Sequence, residues 1–165
     1  MQRLTLAPLT ADAFVAFGEV IDAYSPCERY PINEGRTQRH HAIARIDCAS
    51  NGGQAALSLF RSEPVSDGFA LRGLERHPLG SQAFINTSGN RYAIVVAPAG
   101  ELDESAIRGF IAQPQQSISY HRGTWHHYLL ALDARSDFVV VDRVGPGGNC
   151  DEQVLQTPLA LALDE

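Results

Sequence analysis

The chain has 165 residues, which suits one folded domain with a buried core. Hydrophobic residues make up 44% of it, charged residues 19%, and the formal net charge of −6 argues against nucleic-acid binding, because no basic surface is available to neutralise phosphates. All 13 basic residues are arginine, and the absence of lysine excludes Schiff-base chemistry and a P-loop.

The cysteines indicate a reducing compartment. Cys27, Cys48 and Cys150 are far apart and form no Cys-x-x-Cys pair, so neither a disulfide framework nor a thiolate zinc site is expected. The N-terminal segment lacks the apolar core of a signal peptide, and no apolar run reaches the roughly 18 residues that a membrane span requires. We therefore predict a soluble, cytoplasmic protein with neither a membrane nor a nucleic-acid partner.

The predicted elements are short and mostly extended. Alternating polarity predicts a strand over residues 3–7, and Thr10 is a candidate N-cap for a helix over 11–17. A short strand at 20–21 precedes an irregular segment over 24–33 that contains two prolines. Further strands are predicted over residues 40–46, 55–60, 69–77, 82–86, 91–97, 107–112, 117–120, 125–132 and 138–143.

About ten short strands, spaced roughly 8 to 15 residues apart and preceded by one helix, favour an all-β sandwich or barrel. The apolar tail over 155–163 is too short to span a membrane and is interrupted by Pro158. No internal repeat or linker divides the sequence, so we predict a single domain over residues 1–165.

Two polar segments, 75–82 and 121–127, contain four of the six histidines. Glu75 and His77 are two residues apart, so on a strand both side chains leave the same face. Gln82 follows a turn, and a second strand would bring it back beside them, while His126 would complete the group from a distant strand. One carboxylate, two imidazoles and an amide favour a divalent-metal or acid–base site, although scattered surface residues remain the alternative.

Other polar residues have two interpretations each. Arg61 is a candidate to bind a carboxylate with two hydrogen bonds, or an exposed arginine at the rim. Tyr120 and His121 precede the second polar segment and are candidates to line the same mouth. Strand alternation turns Trp125 and His127 away from His126, so both are expected to pack rather than react.

The spacing of these segments resembles the two cupin motifs. Glu75-x-His77-x4-Gln82-x6-Gly89 follows the first motif, with Glu in place of the first His and Gln in place of Glu. Gly123-x2-His126 follows the centre of the second motif, whose proline and final asparagine are absent.

The residue identities more closely resemble those of the bacterial ureidoglycolate lyase family, formerly called ureidoglycolate hydrolase. The resemblance covers residues 74–85, with further matching residues within 13–21, 120–127 and 142–151. It implies a cupin-like β-barrel (a double-stranded β-helix) with one short N-terminal helix. It also implies cleavage of (S)-ureidoglycolate to glyoxylate and urea in allantoin and purine nitrogen catabolism, by a homodimer that uses nickel.

The resemblance assigns Glu75, His77, Gln82 and His126 to a divalent metal. With a divalent ion this set has a net charge of +1, which favours an anionic carboxylate ligand. Glu75, His77 or His126 would serve as the base and Tyr120 or His121 as the acid, while Arg61 would bind the carboxylate. Three alternatives remain: Gln82 binds substrate instead of metal, the enzyme is an amidohydrolase that releases ammonia, or the barrel is a non-catalytic small-anion binder.

Overall fold

The structure is a computed structural model that describes residues 1–163, so the last two residues of the predicted domain lie outside the described part. Strands dominate it, which confirms the prediction of an all-β, cupin-like barrel. The described residues form one α-helix, α1 (Ala11–Phe14), and two 3-10 turns, Ser50–Gly52 and Glu104–Ala106. They also form fourteen strands: β1 (Gln2–Pro8), β2 (Gly18–Ile21), β3 (Glu28–Ile32), β4 (Thr37–His41), β5 (Gln54–Ser62), β6 (Ala70–Arg76), β7 (Gln82–Asn86), β8 (Tyr92–Ala97), β9 (Arg108–Ala112), β10 (Ser117–Tyr120), β11 (Trp125–His126), β12 (Leu130–Ala131), β13 (Ser136–Val144) and β14 (Asp151–Ala162).

The first sheet closes on itself. Its strand order is β11-β6-β14-β1-β9-β8-β12, and β11 also pairs with β8, so a ring of strands forms a barrel. The ring is mixed, because β1 runs parallel to both β14 and β9 while the other pairs are antiparallel. Apolar side chains from its strands, including Leu71, Val95, Trp125 and Leu161, form one buried cluster.

The second sheet, in the order β2-β10-β7-β13-β5, packs against the outer face of β8 and β9. Alternation along β8 divides its residues between two clusters: Ala93, Val95 and Ala97 belong to the barrel cluster, and Tyr92, Ile94 and Val96 to the cluster between the sheets. The second cluster also contains Phe84 and Phe138 from the second sheet. The polar group described below lies at the end of this intersheet layer.

The irregular segment predicted over residues 24–33 is partly wrong. Residues Glu28–Ile32 form β3, which pairs with β4 in a two-stranded hairpin. Asn33 and Glu34 both adopt a positive φ, 53° and 59°, and with Gly35 they make the tight turn that the prediction overlooked. Pro31 has no backbone N–H group to donate. It is tolerated in this hairpin because each of the two strands has one edge where no neighbouring strand needs a donor.

Other predicted elements are also corrected, among them the strand predicted over 40–46, which the structure places at Thr37–His41 as β4. Thr10 caps the helix through a hydrogen bond from the Ala13 amide to its hydroxyl at 3.2 Å, but α1 ends at Phe14 instead of residue 17. The predicted strand over 125–132 is interrupted between β11 and β12. The apolar tail is part of the long strand β14, where Pro158 lies in the register shift between Val154 and Leu159.

Two further findings concern the cysteines and the length of the helices. All three cysteines are free. Among the described residues, no helix is long and apolar enough to cross a membrane.

Candidate active site

The structure brings the two polar segments together. Glu75 near the end of β6 is the direct cross-strand partner of His126 on β11, and such partners project from the same face. His77 follows Glu75 by two residues, and its ring lies 5.1 Å from the ring of His126. One potential ligand atom from each of these three residues lies within 4.8 Å of the others, so the group has the composition and spacing of a metal site.

Gln82, at the start of β7, joins this group. Its Oε1 is 3.1 Å from Nε2 of His77, and its Nε2 donates a hydrogen bond to Oδ2 of Asp142 at 3.0 Å. Gln82 is cross-strand partner to Tyr120 on one side and to Asp142 on the other, so the strand register fixes all three on the inner face of the second sheet.

The His126 ring has one nitrogen available for a ligand. Nδ1 donates to the carbonyl oxygen of His127 at 3.1 Å, which leaves a lone pair on Nε2. That Nε2 is buried and has no hydrogen-bond partner. Burial, with a smaller contribution from the charge of His77, lowers the pKa of His126 to about 3. His126 is therefore neutral near pH 7, the form in which imidazole binds a metal.

The His77 ring is held by a similar hydrogen bond to a backbone carbonyl. Its Nδ1 donates to the carbonyl oxygen of Asn149 at 2.7 Å, so Nε2 is the ring nitrogen left to bind a metal. Nε2 faces Oε1 of Gln82 at 3.1 Å. Ligands about 2.1 Å from a metal and at right angles lie about 3 Å apart, so this spacing is compatible with two atoms that share a cation. The residues present thus fit a divalent metal ion.

Tyr120 covers the buried face of the site. Its ring stacks on that of His126, and burial followed by the negative charge of Glu75 raises the pKa of its phenol far above the usual value. Among the described residues its hydroxyl has no hydrogen-bond partner. The phenol is therefore protonated and has a proton to donate.

Two predicted site residues lie elsewhere. His121 is about half exposed, and its Nε2 pairs with Glu19 at 3.2 Å in a separate polar cavity. Arg61 makes two hydrogen bonds to Asp137, at 2.8 and 2.9 Å. It lies five positions along β5 from Ala56, the partner of Asp142, which is about 17 Å of strand, and alternation places it on the opposite face. Its role in carboxylate binding remains a prediction.

Sequence reasoning did not place several residues that the structure brings to the site. Asn149 orients His77 and also accepts from the amide of Leu79 at 2.8 Å, which ties the loop after β13 to the turn after β6. Cys150 is exposed, with its Sγ 3.7 Å from Oε2 of Glu75. These residues are far in sequence from the residues that they contact, and no spacing pattern predicts those contacts.

A cleft of about 750 Å³ reaches Glu75 along β6. Its lining includes Arg72, Tyr128 and Val154. Arg72 is exposed and has no hydrogen bond or ion pair with any described residue. It is therefore a cation available to a ligand that approaches Glu75 through the cleft.

A β-barrel that holds a carboxylate and two imidazoles against an inner sheet face defines a cupin-like protein. Comparison with known sequences gives the particular family: the profile described as ureidoglycolate lyase matches residues 1–162. The chain belongs to the ureidoglycolate lyase family, which confirms the resemblance seen in the sequence.

Similar proteins match along nearly their whole length. One named ureidoglycolate lyase from Pseudomonas syringae pv. tomato is 46% identical, over 99% of this chain and 96% of its own length. Proteins of the same name from Burkholderia mallei and Burkholderia cepacia are 48% and 49% identical, over 99% and 98% of this chain and 96% and 91% of their own lengths.

Proposed function

We propose that this chain is a carbon–nitrogen lyase that releases urea from (S)-ureidoglycolate and leaves glyoxylate. The observation that carries the proposal is the Glu75, His77 and His126 group at the inner sheet face, in a chain that belongs to the ureidoglycolate lyase family. Its place in metabolism would be allantoin and purine nitrogen catabolism.

The cleavage requires two proton movements. The substrate carries a carboxylate, a hydroxyl and a urea nitrogen on one carbon. The hydroxyl loses its proton and its C–O bond becomes C=O, while the C–N bond breaks and its electron pair goes to nitrogen. That nitrogen must gain a proton, because urea leaves poorly as an anion. The site therefore needs one base and one acid.

Glu75 is the proposed base. Its carboxylate is half-buried, lies beside both histidines and lines the cleft through which the substrate would approach. We assign the acid role to Tyr120 in preference to His121, because the Tyr120 ring stacks directly on His126 at the site. His121 pairs instead with Glu19 in another cavity.

Glu75, His77, Gln82 and His126 are the residues that we propose to hold a divalent metal, and nickel is the metal that the sequence resemblance implies. A bound divalent ion supplies Lewis acidity, which lowers the pKa of a substrate hydroxyl and stabilises its anion. His77 and His126 support this assignment, since each has its Nδ1 fixed by a backbone carbonyl, which leaves its Nε2 to bind a metal.

The substrate carboxylate needs a cationic partner. Arg72 is our candidate, because it lines the cleft that reaches Glu75 and has no partner among the described residues. Arg61, favoured by the sequence, is the rival, although Asp137 occupies its guanidinium. Bidentate binding of a carboxylate by arginine would orient the substrate carbon toward Glu75.

We also propose a cytoplasmic homodimer. Strand β5 is an edge of the second sheet, and its Leu57 and Leu59 are 75% and 60% exposed. An edge strand with exposed apolar side chains favours pairing with another chain. Sedimentation equilibrium of the wild-type protein and of a Leu57→Arg variant tests this: a dimer that the substitution dissociates supports it.

The activity is tested by incubating metal-loaded protein with each enantiomer of ureidoglycolate and measuring urea, glyoxylate and ammonia. Equal amounts of urea and glyoxylate, formed from the S enantiomer, support the lyase. Ammonia without urea identifies an amidohydrolase instead. Binding without any product identifies a non-catalytic barrel.

A further inference from the structure

The Gln82 side chain is held from outside the metal-binding group. Gln82 and Asp142 are direct partners on β7 and β13, and the Gln82 Nε2 donates to Oδ2 of Asp142 at 3.0 Å. Asp142 does not belong to the group formed by Glu75, His77 and His126. The hydrogen bond to the Gln82 amide is the contact that links Asp142 to that group.

An amide has two unlike ends, and only its oxygen can bind a metal ion. The carboxylate of Asp142 accepts hydrogen bonds and cannot donate them, so it selects the nitrogen end of Gln82. The oxygen end is then turned toward Nε2 of His77, at 3.1 Å. The reverse orientation would place the amide oxygen against a carboxylate oxygen and point the N–H group toward the metal ligands.

We propose that Asp142 is a positioning residue, which locks Gln82 with its carbonyl oxygen toward the metal. This inference rests on the metal site of the proposed function. A hydrogen bond to a charged acceptor also polarises the amide and increases the negative charge on its oxygen. The Gln82–Asp142 pair thus does together what a single carboxylate does at the equivalent place in the cupin motif that the sequence resembles.

The proposal predicts that the need for Asp142 depends on the residue at position 82. A carboxylate has two equivalent oxygens and needs no partner to select one of them. Asp142→Leu should therefore weaken metal binding when residue 82 is the native glutamine. It should not weaken metal binding in the Gln82→Glu background, where it also removes the repulsion between two neighbouring carboxylates. A merely structural role for Asp142 would impose the same loss in both backgrounds.

Titration of the full-length metal-free protein with Co²⁺, followed through the visible absorption bands of the ion, measures this. We expect Asp142→Leu to lower the Co²⁺ affinity by about 10- to 100-fold and to change the bands. Asp142→Asn keeps an oxygen acceptor and should lose less, which keeps the proposal testable if the leucine variant does not fold. Asp137→Asn removes a carboxylate from the same strand away from the site and is the matched control.

The effect of Asp142→Leu in the Gln82→Glu background decides between a positioning role and a merely structural one. In that background, Asp142→Leu should lower the Co²⁺ affinity by less than about threefold, well below the usual effect of losing a partner to a metal ligand, or should raise it. Equal losses in both backgrounds, unchanged binding in Asp142→Leu, or no Co²⁺ binding by the wild-type protein would each overturn the proposal. If the rescue is seen but no urea is released from ureidoglycolate, the proposed function fails and this inference stands.

Discussion

The ring of Tyr120 lies parallel to the imidazole of His126, with the ring centroids 4.2 Å apart and the planes inclined by 7°. The two residues come from β10 in one sheet and β11 in the other, so this stack joins the sheets at the site. It also brings a protonated phenol within the electrostatic influence of Glu75. The same contact therefore contributes to packing and places a proton donor.

Replacing Tyr120 by phenylalanine separates these two contributions. Phe keeps the aromatic stack and removes only the hydroxyl, so the melting temperature and metal content should change little. Loss of a positioned acid typically costs 10² to 10⁴ in rate, and kcat for urea release should fall by roughly that factor. A Tyr120→Phe enzyme with normal kcat would exclude Tyr120 as the acid. His121→Asn, which alters the alternative acid, should then be the impaired variant.

Metal dependence is the second prediction. Exhaustive chelation should abolish urea release, and one equivalent of a divalent metal ion should restore it. His77→Ala should bind less than about a tenth of the metal that the wild-type protein binds, because it removes a ligand whose ring orientation is fixed by a hydrogen bond. Glu75→Gln should keep its fold while kcat falls by roughly 10²- to 10⁴-fold. Elemental analysis and product assays report both effects, and full activity after chelation would rule out a metal requirement.

Arg72 and Arg61 make the third prediction, in which each variant is the control for the other. Arg72→Ala should raise KM by about tenfold or more, because a charged hydrogen bond to the substrate carboxylate contributes about 1.5–3 kcal/mol. Arg61→Ala should leave KM unchanged and cost little stability, since its pairing with Asp137 is exposed. The opposite pattern in steady-state kinetics would restore Arg61 as the carboxylate partner.

The sequence predicts the strands of this barrel well where turn residues flank a regular alternation. Residues 82–86 and 117–120 are predicted with the ends that β7 and β10 have. The sequence does not predict strand β14, because its polar first half and its apolar second half have no common alternation. Pairing with β1 and β6 stabilises it, and those contacts are remote in sequence.

The site divides in the same way. Glu75, His77 and His126 were predictable from local periodicity and from the resemblance to a known family. Arg61 was favoured by residue type alone, and only the β5–β13 register shows that Asp137 pairs with it on the opposite face. The contacts of Asn149 and Asp142 and the place of Arg72 in the cleft depend on strand pairing and loop closure. One sequence therefore cannot assign them.

His127 provides the fourth prediction, with its neighbour His126 as the comparison. The His127 ring is buried and packs edge-on against Phe69 and beside Tyr128, with centroid distances of 6.2 and 4.0 Å. His127→Phe keeps this packing and loses one hydrogen bond, to the Tyr128 carbonyl, so kcat should change less than about threefold and stability by about 1 kcal/mol. His126→Phe should lose metal and activity. Loss of metal from His127→Phe would show that His127 contributes to the site.

The fifth prediction concerns the contact between β2 and β10 behind Tyr120. Gly18 is the cross-strand partner of Tyr120, and a Cβ at Gly18 would overlap the backbone carbonyl oxygen of Ser119. Because neither backbone can move without breaking the sheet pairing, Gly18→Ala should destabilise the fold by about 3 kcal/mol, and lower the melting temperature by roughly 6–12 °C. Gly148→Ala is the control, since nothing lies within 4 Å of its Cβ position. Equal melting temperatures for the two variants would show that β2 can separate from β10 at no cost.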